Sequence, residues 1–165
     1  MSSDACANDR SLRVSLVGSW KLVSYEAQRD DGSRILYPLG EGAKGYILYT
    51  ADGYMSAQIM QLDRPQYQSA DPSGGTDAES ARAARGYLAY SGRYHIEDGS
   101  VVVHESEVSL FPNWVGGSQL RNAAIAGRHL ELSTSEPAQF GEEKLTAVLV
   151  WERAGGTPSS PSSRR

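Results

Sequence analysis

The sequence predicts an all-β, antiparallel fold of about eight short strands, a sandwich or a barrel, with one inserted helix. Three observations lead there. Apolar and polar residues alternate with a period of two in run after run, Asp-Gly turn signals separate several of these runs, and one segment, residues 76–90, breaks the pattern with helix formers. At 165 residues the chain can bury most of its apolar surface in one core, and a single domain is expected over residues 15–154.

The elements follow in chain order. Residues 1–14 are polar, lack the apolar stretch of a secretory signal, and are expected to be disordered. They carry the only cysteine, Cys6, so no intrachain disulfide can form and a reducing compartment is expected. No run approaches the ~20 apolar residues of a membrane span, which makes the expected location cytoplasmic. Residues 17–28, VGSWKLVSYEAQ, form the first strand and end at the turn Asp30-Asp31-Gly32. Residues 45–50 and 54–60 flank Ala51-Asp52-Gly53, the clearest hairpin in the chain.

Residues 61–75 form a long loop, of the length found in lids and binding loops or in solvated insertions. In the helix predicted over 76–90, Thr76 and Glu79 make a capping box, and Ala81, Ala84 and Leu88 share a stripe from which Arg82 and Arg85 are excluded. Strands follow at 91–97, 101–110, 118–126, 129–135 and 144–153, with a turn at Asp98-Gly99. The Gly-, Pro- and Ser-rich end, residues 155–165, is expected to be a disordered tail.

Charge narrows the possible partners. The 16 Lys and Arg and 20 Asp and Glu are dispersed, for a net charge of −4, so no basic stripe marks a nucleic-acid footprint. His95, His104 and His129 fall on different strands without paired ligand spacing, which argues against zinc. A haem held by His104 has no further signature in its favour. Neither a phosphate-binding Gly-rich loop nor a Gly-x-Ser-x-Gly elbow is present, and no cofactor is expected.

The strand at 101–110 carries the first candidate site residues. Val101, Val103, Glu105, Glu107 and Ser109 lie on one face; Val102, His104, Ser106, Val108 and Leu110 lie on the other. Burying two unpartnered carboxylates is costly, so the second face is predicted to be internal, with His104 and Ser106 pointing inward. Phe111-Pro112-Asn113-Trp114 then ends the strand, because proline cannot continue a paired ladder. Asn113 can bond the turn backbone, and Trp114 either covers the core or packs beneath it. Nine tyrosines against two phenylalanines point to a ligand site, since tyrosine joins a flat apolar face to a hydroxyl. Tyr54 shares a face with Ser56, Gln58 and Met60, and alternation leaves open whether that face or the Met55, Ala57, Ile59 face is internal.

Several blocks then carry a likeness. Gly18-Ser19-Trp20, the segment GYILYTADGYMSAQIM, Asp63-Arg64-Pro65, the run GYLAYSGRY at 86–94 and SLFPNWVG at 109–116, in this order, resemble the bacterial and fungal lipocalin-like domain family over roughly residues 15–153. The resemblance implies a closed up-and-down β-barrel around an apolar cavity. It also implies that Trp20 plugs one end and packs against an arginine from a late strand, Arg153 or Arg121.

Two functions fit such a barrel. The first is cyclisation of a polyketide-like substrate by a shaped, cofactor-independent cavity, since proximity alone can remove ~7–11 kcal/mol of barrier. Its expected catalytic residues are His104, Tyr54 and Trp114, with Tyr46, Ser56, Gln58, Met60, Tyr90, Tyr94, Ser106 and Asn113 binding substrate. The second is carriage or sensing of a hydrophobic metabolite through the same residues. In either case the expected partner is an apolar small molecule, without nucleic acid or membrane, and a homodimer is left open.

Overall fold

A computed structural model describes residues 3–33 and 35–155. Its strands are β1 (Gly18–Gln28), β2 (Ile35–Leu36), β3 (Lys44–Tyr49), β4 (Tyr54–Met60), β5 (Tyr87–Glu97), β6 (Val101–Ser109), β7 (Ser118–Ala126), β8 (His129–Thr134), β9 (Ala138–Phe140) and β10 (Glu143–Arg153). Two helices, α1 (Ser3–Leu16) and α2 (Asp77–Arg85), and a 3₁₀ turn at Pro112–Trp114 complete it. The sheet runs β1-β3-β4-β5-β6-β7-β8-β10, and β10 pairs back onto β1 from Trp20↔Arg153 to Gln28↔Thr146. This closes an antiparallel eight-strand barrel and removes its sheet edges. The short strands β2 and β9 add to β1 and β10.

Inward and outward residues alternate, as barrel geometry requires. In β4 the alternation has a definite sense: Met55, Ala57 and Ile59 are buried, whereas Tyr54 and Met60 are exposed and Ser56 and Gln58 are half-buried on the outer wall. Two bulges reverse the alternation elsewhere. Val23 is an extra residue in β1 between the pairs Leu22↔Trp151 and Ser24↔Val150, so the inner face passes from Trp20 and Leu22 to Tyr25 and Ala27. Glu107 is the extra residue in β6, between Gly92↔Ser106 and Ser91↔Val108. Val102, His104 and Ser106 are therefore internal as expected, but Val108 and Leu110 turn out to solvent. A Cβ at Gly92 would overlap the Glu105 carbonyl oxygen, which explains glycine opposite this bulge.

One end of the barrel is sealed by a segment that composition had suggested would be disordered. Residues 3–16 form helix α1, whose Leu16 is fully buried and whose Leu12 packs against the core. The helix is tied to the adjoining hairpins: the Gly99 N–H donates to Asp9 Oδ1 at 2.6 Å, and Arg13 Nη2 donates to the Ala51 carbonyl at 3.4 Å. Beneath it lies Trp20, whose Nε1 donates to the Leu16 carbonyl at 2.8 Å. The Arg153 guanidinium carbon stands 3.9 Å from the Trp20 ring centroid, while its Nη1 donates to the Val17 carbonyl at 2.7 Å and its Nη2 to the Ser15 carbonyl. Of the two candidate arginines, Arg153 is the partner of Trp20. Gly18 leaves room for it, since a Cβ there would lie 2.7 Å from Arg153 Nη1.

The inserted helix is shorter than predicted. The capping box forms between Thr76 and Glu79, but α2 ends at Arg85 and residues 87–90 belong to β5. Leu88 accordingly faces the barrel interior, while Ala81 and Ala84 are exposed. The preceding loop is fastened to α2 by the Gln68 N–H, which donates to Glu79 Oε1 at 2.9 Å, and by Arg64 Nη2, which donates to the Ala83 carbonyl at 3.0 Å. Among the described residues no helix is long and apolar enough to cross a membrane. The tail expected over 155–165 lies, from residue 156 on, outside the described residues.

Candidate functional site

The end of the barrel opposite α1 holds the cavity. Its walls are mainly apolar, with Ile47, Ala57, Ile59, Leu88, Leu132, Leu149 and Trp151 from the strands, Phe140 from β9 and Trp114 from the 3₁₀ turn. Polar groups enter from Tyr25, Tyr90, Gln119, Arg121 and Thr134. The enclosed volume is about 90 Å³. Trp114 sits at the mouth, stacked edge-on with the Tyr90 ring at 5.3 Å and with the Phe111 ring at 5.8 Å. Along with Leu88 it also lines an outer groove beside α2, so these two side chains separate the cavity from the surface.

Behind Tyr90 lies a buried polar chain. The Tyr90 hydroxyl is 2.9 Å from Nδ1 of His104, and the Tyr49 hydroxyl is 2.8 Å from its Nε2. A neutral imidazole offers one donor and one acceptor, so one hydroxyl donates to the bare nitrogen and the other accepts from the N–H. His104 is fully buried, and that burial, assisted by the charge of Arg121, pulls its pKa down to about 3. Burial likewise pushes Tyr25 up to about 12, Tyr49 well above the usual phenol value, and Tyr90 upward against the opposing charge of Arg121. All of these groups are neutral at physiological pH.

Arg121 is different. It projects inward from β7 and is only half-buried, with Nη2 donating to Gln119 Oε1 at 3.2 Å and Nη1 to the Leu120 carbonyl at 2.9 Å. No carboxylate forms an ion pair with it among the described residues. Trp151, 1% exposed, has an indole N–H without a hydrogen-bond partner among the described residues. A buried donor left unpaired costs about 1–3 kcal/mol, which an acceptor from a bound molecule would recover.

The expected site residues separate into three groups. Trp114 and Tyr90 line the cavity, and His104 supports Tyr90 from behind. Tyr94 and Ser106 are internal but outside the cavity wall: the Tyr94 hydroxyl donates to the Thr50 carbonyl at 2.9 Å near the sealed end, and the Ser106 hydroxyl is buried without a partner among the described residues. Tyr46, Tyr54, Ser56, Gln58 and Met60 face outward because β3 and β4 turn their other faces in, and Asn113 is exposed on its turn. Three of these outward residues have partners of their own. Ser56 bonds Ser91 at 2.7 Å, Gln58 Oε1 accepts from the Tyr87 hydroxyl at 2.9 Å, and Arg93 lies over the Tyr54 ring at 5.1 Å.

Tyr25, Gln119, Arg121, Thr134 and Trp151 were missed. For Arg121 a signal existed, because it alternates in phase with Ala123 and Ile125. For Tyr25 it was hidden, since the Val23 bulge reverses the phase set by Trp20.

The chain is a closed β-barrel, sealed at one end, with a small, mostly apolar cavity under an aromatic side chain at the other. The chain belongs to the lipocalin-like domain family, whose model matches residues 17–154. It is 41% identical over 106 residues, 60% of this chain and 96% of the relative, to the 4'-hydroxy-3'-methoxypropiophenone carrier protein ppsC of Aspergillus oryzae.

Proposed function

We propose that the protein binds a compact aromatic ketone in the barrel cavity and carries it. The observation that supports this most directly is the unpaired Trp151 N–H in a mostly apolar wall, a donor suited to a ligand carbonyl. Size points the same way. A single benzene ring fills a cavity of roughly 150 Å³, and the enclosed room here is about 90 Å³. The cavity is thus too small to enclose more than one ring, and a bound ring extends into the mouth under Trp114. The relative's name gives an aryl ketone as the molecule that it carries.

Cyclisation of an extended precursor is the second reading. It would use the same walls, but a long chain needs more room than the cavity encloses, and both His104 ring nitrogens are already engaged. Carriage is the better fit.

Titration with propiophenone and 4'-hydroxypropiophenone, followed by tryptophan fluorescence, tests the proposal. Saturable one-to-one binding is expected, and it should be lost in Ala57→Phe, which fills the cavity. The absence of saturable binding to either ketone would overturn it. A mass-neutral change in the retention of a linear polyene on incubation with the protein would favour cyclisation instead.

A further inference from the structure

Building on that cavity reading, we propose that Arg121 is its specificity-determining residue and selects ligands bearing an ionised oxygen, a phenolate or an enolate. The argument is one of charge balance and of donors against acceptors. Arg121 is the only charged side chain among the described cavity-lining residues. The titratable groups that bear on it are Tyr25 from β1, Tyr49 from β3, Tyr90 from β5 and His104 from β6, while its cross-strand neighbours Val102 and Thr134 carry no charge. Burial keeps the three phenols protonated and the imidazole neutral, so none of them supplies an anion. A guanidinium in a mostly apolar wall then has its charge uncompensated from within the protein, and a ligand oxyanion meets it with a charge-assisted hydrogen bond.

The neutral partners lean the same way. Trp151 presents an unused N–H. Tyr49, buried with His104 as its hydroxyl's partner, must donate to Nε2 or leave its own proton unpaired. That assigns the ring proton to Nδ1, where Tyr90 accepts it, and frees the Tyr90 O–H to donate toward the cavity it lines. Two of the wall's acceptors are already engaged: Gln119 Oε1 takes the Arg121 N–H and Thr134 Oγ1 takes the Ala147 N–H at 3.1 Å. The cavity thus presents more donors than free acceptors, which favours a ligand oxygen that has given up its proton.

The test compares 4'-hydroxypropiophenone with 4'-methoxypropiophenone, which cannot ionise, using ultraviolet absorption of the probe and tryptophan quenching from pH 6 to 9. The bound hydroxy compound should show the phenolate band at a pH where the free compound is protonated, its ionisation shifted down by about one unit or more. Arg121→Met should abolish that band and weaken the hydroxy compound about tenfold or more, as loss of a charged hydrogen bond does. The methoxy compound should lose clearly less affinity in the variant than the hydroxy compound does, and Arg121→Lys should restore part of the band. Circular dichroism of each variant confirms folding. If both compounds bind but the hydroxy probe stays protonated, and Arg121→Met affects the two alike, this inference falls while the carrier reading stands. If neither compound binds the wild type, both fall together.

Discussion

The imidazole of His104 is held between two tyrosines, with Tyr90 2.9 Å from Nδ1 and Tyr49 2.8 Å from Nε2, and none of the three is charged. The histidine is a structural link that orients a cavity-lining phenol. Its low basicity follows from burial and makes it a weak proton acceptor.

That link makes stability depend on pH. The folded-state pKa of His104 is about 3 against an unfolded value of 6.5, so below 6.5 the unfolded chain binds the extra proton. Its contribution is fully present above pH 6.5 and is lost as pH falls, by up to about 1.4 kcal/mol per unit. Urea denaturation at pH 7 and pH 5 should show this slope in the wild type and a flatter one in His104→Gln. Equal slopes would remove the histidine as its source.

The sealed end depends on large buried side chains. Trp20→Ala should destabilise by ~3–5 kcal/mol and Leu16→Ala by ~2–4 kcal/mol, because the cavities they leave are roofed by a tethered helix that cannot collapse into them. Denaturant midpoints measure both. A neutral Leu16→Ala would mean that α1 does not seal the barrel in solution.

At Gly92 the constraint is close backbone approach. Gly92→Ala should cost about 1–3 kcal/mol or more, since the added methyl meets the Glu105 carbonyl at the bulge and must push β6 away. Thermal unfolding reads the loss, and an unchanged midpoint would argue against the bulge.

Trp114 separates the cavity from the surface, so its removal should act on rates. Trp114→Ala is expected to raise the ligand dissociation rate about tenfold, since changes within one binding site appear mostly in dissociation. Stopped-flow displacement measures it. In contrast, Tyr54→Phe, on the outer wall, should leave binding unchanged and stability within about 0.5 kcal/mol.

The sequence alone determined the number of long strands, the hairpin at Asp52-Gly53, the capping box of α2 and the inward direction of His104. These are local: alternation, turn chemistry and caps are written within a few neighbouring residues. What the tertiary structure decided was the sense of each alternation and the company each residue keeps. A period of two has no intrinsic inside, and it is barrel closure through the β1 and β10 ladder that turns Met55 inward and Tyr54 outward. The bulges at Val23 and Glu107 then reverse the phase, admitting Tyr25 and expelling Val108. Helix α1 was hidden for a related reason, because its apolar contacts are few and its remaining ties are to turns distant in the chain. Arg121, Trp151 and Tyr90 meet around one cavity only because strands remote in sequence curve to face one another, and no local pattern records that meeting.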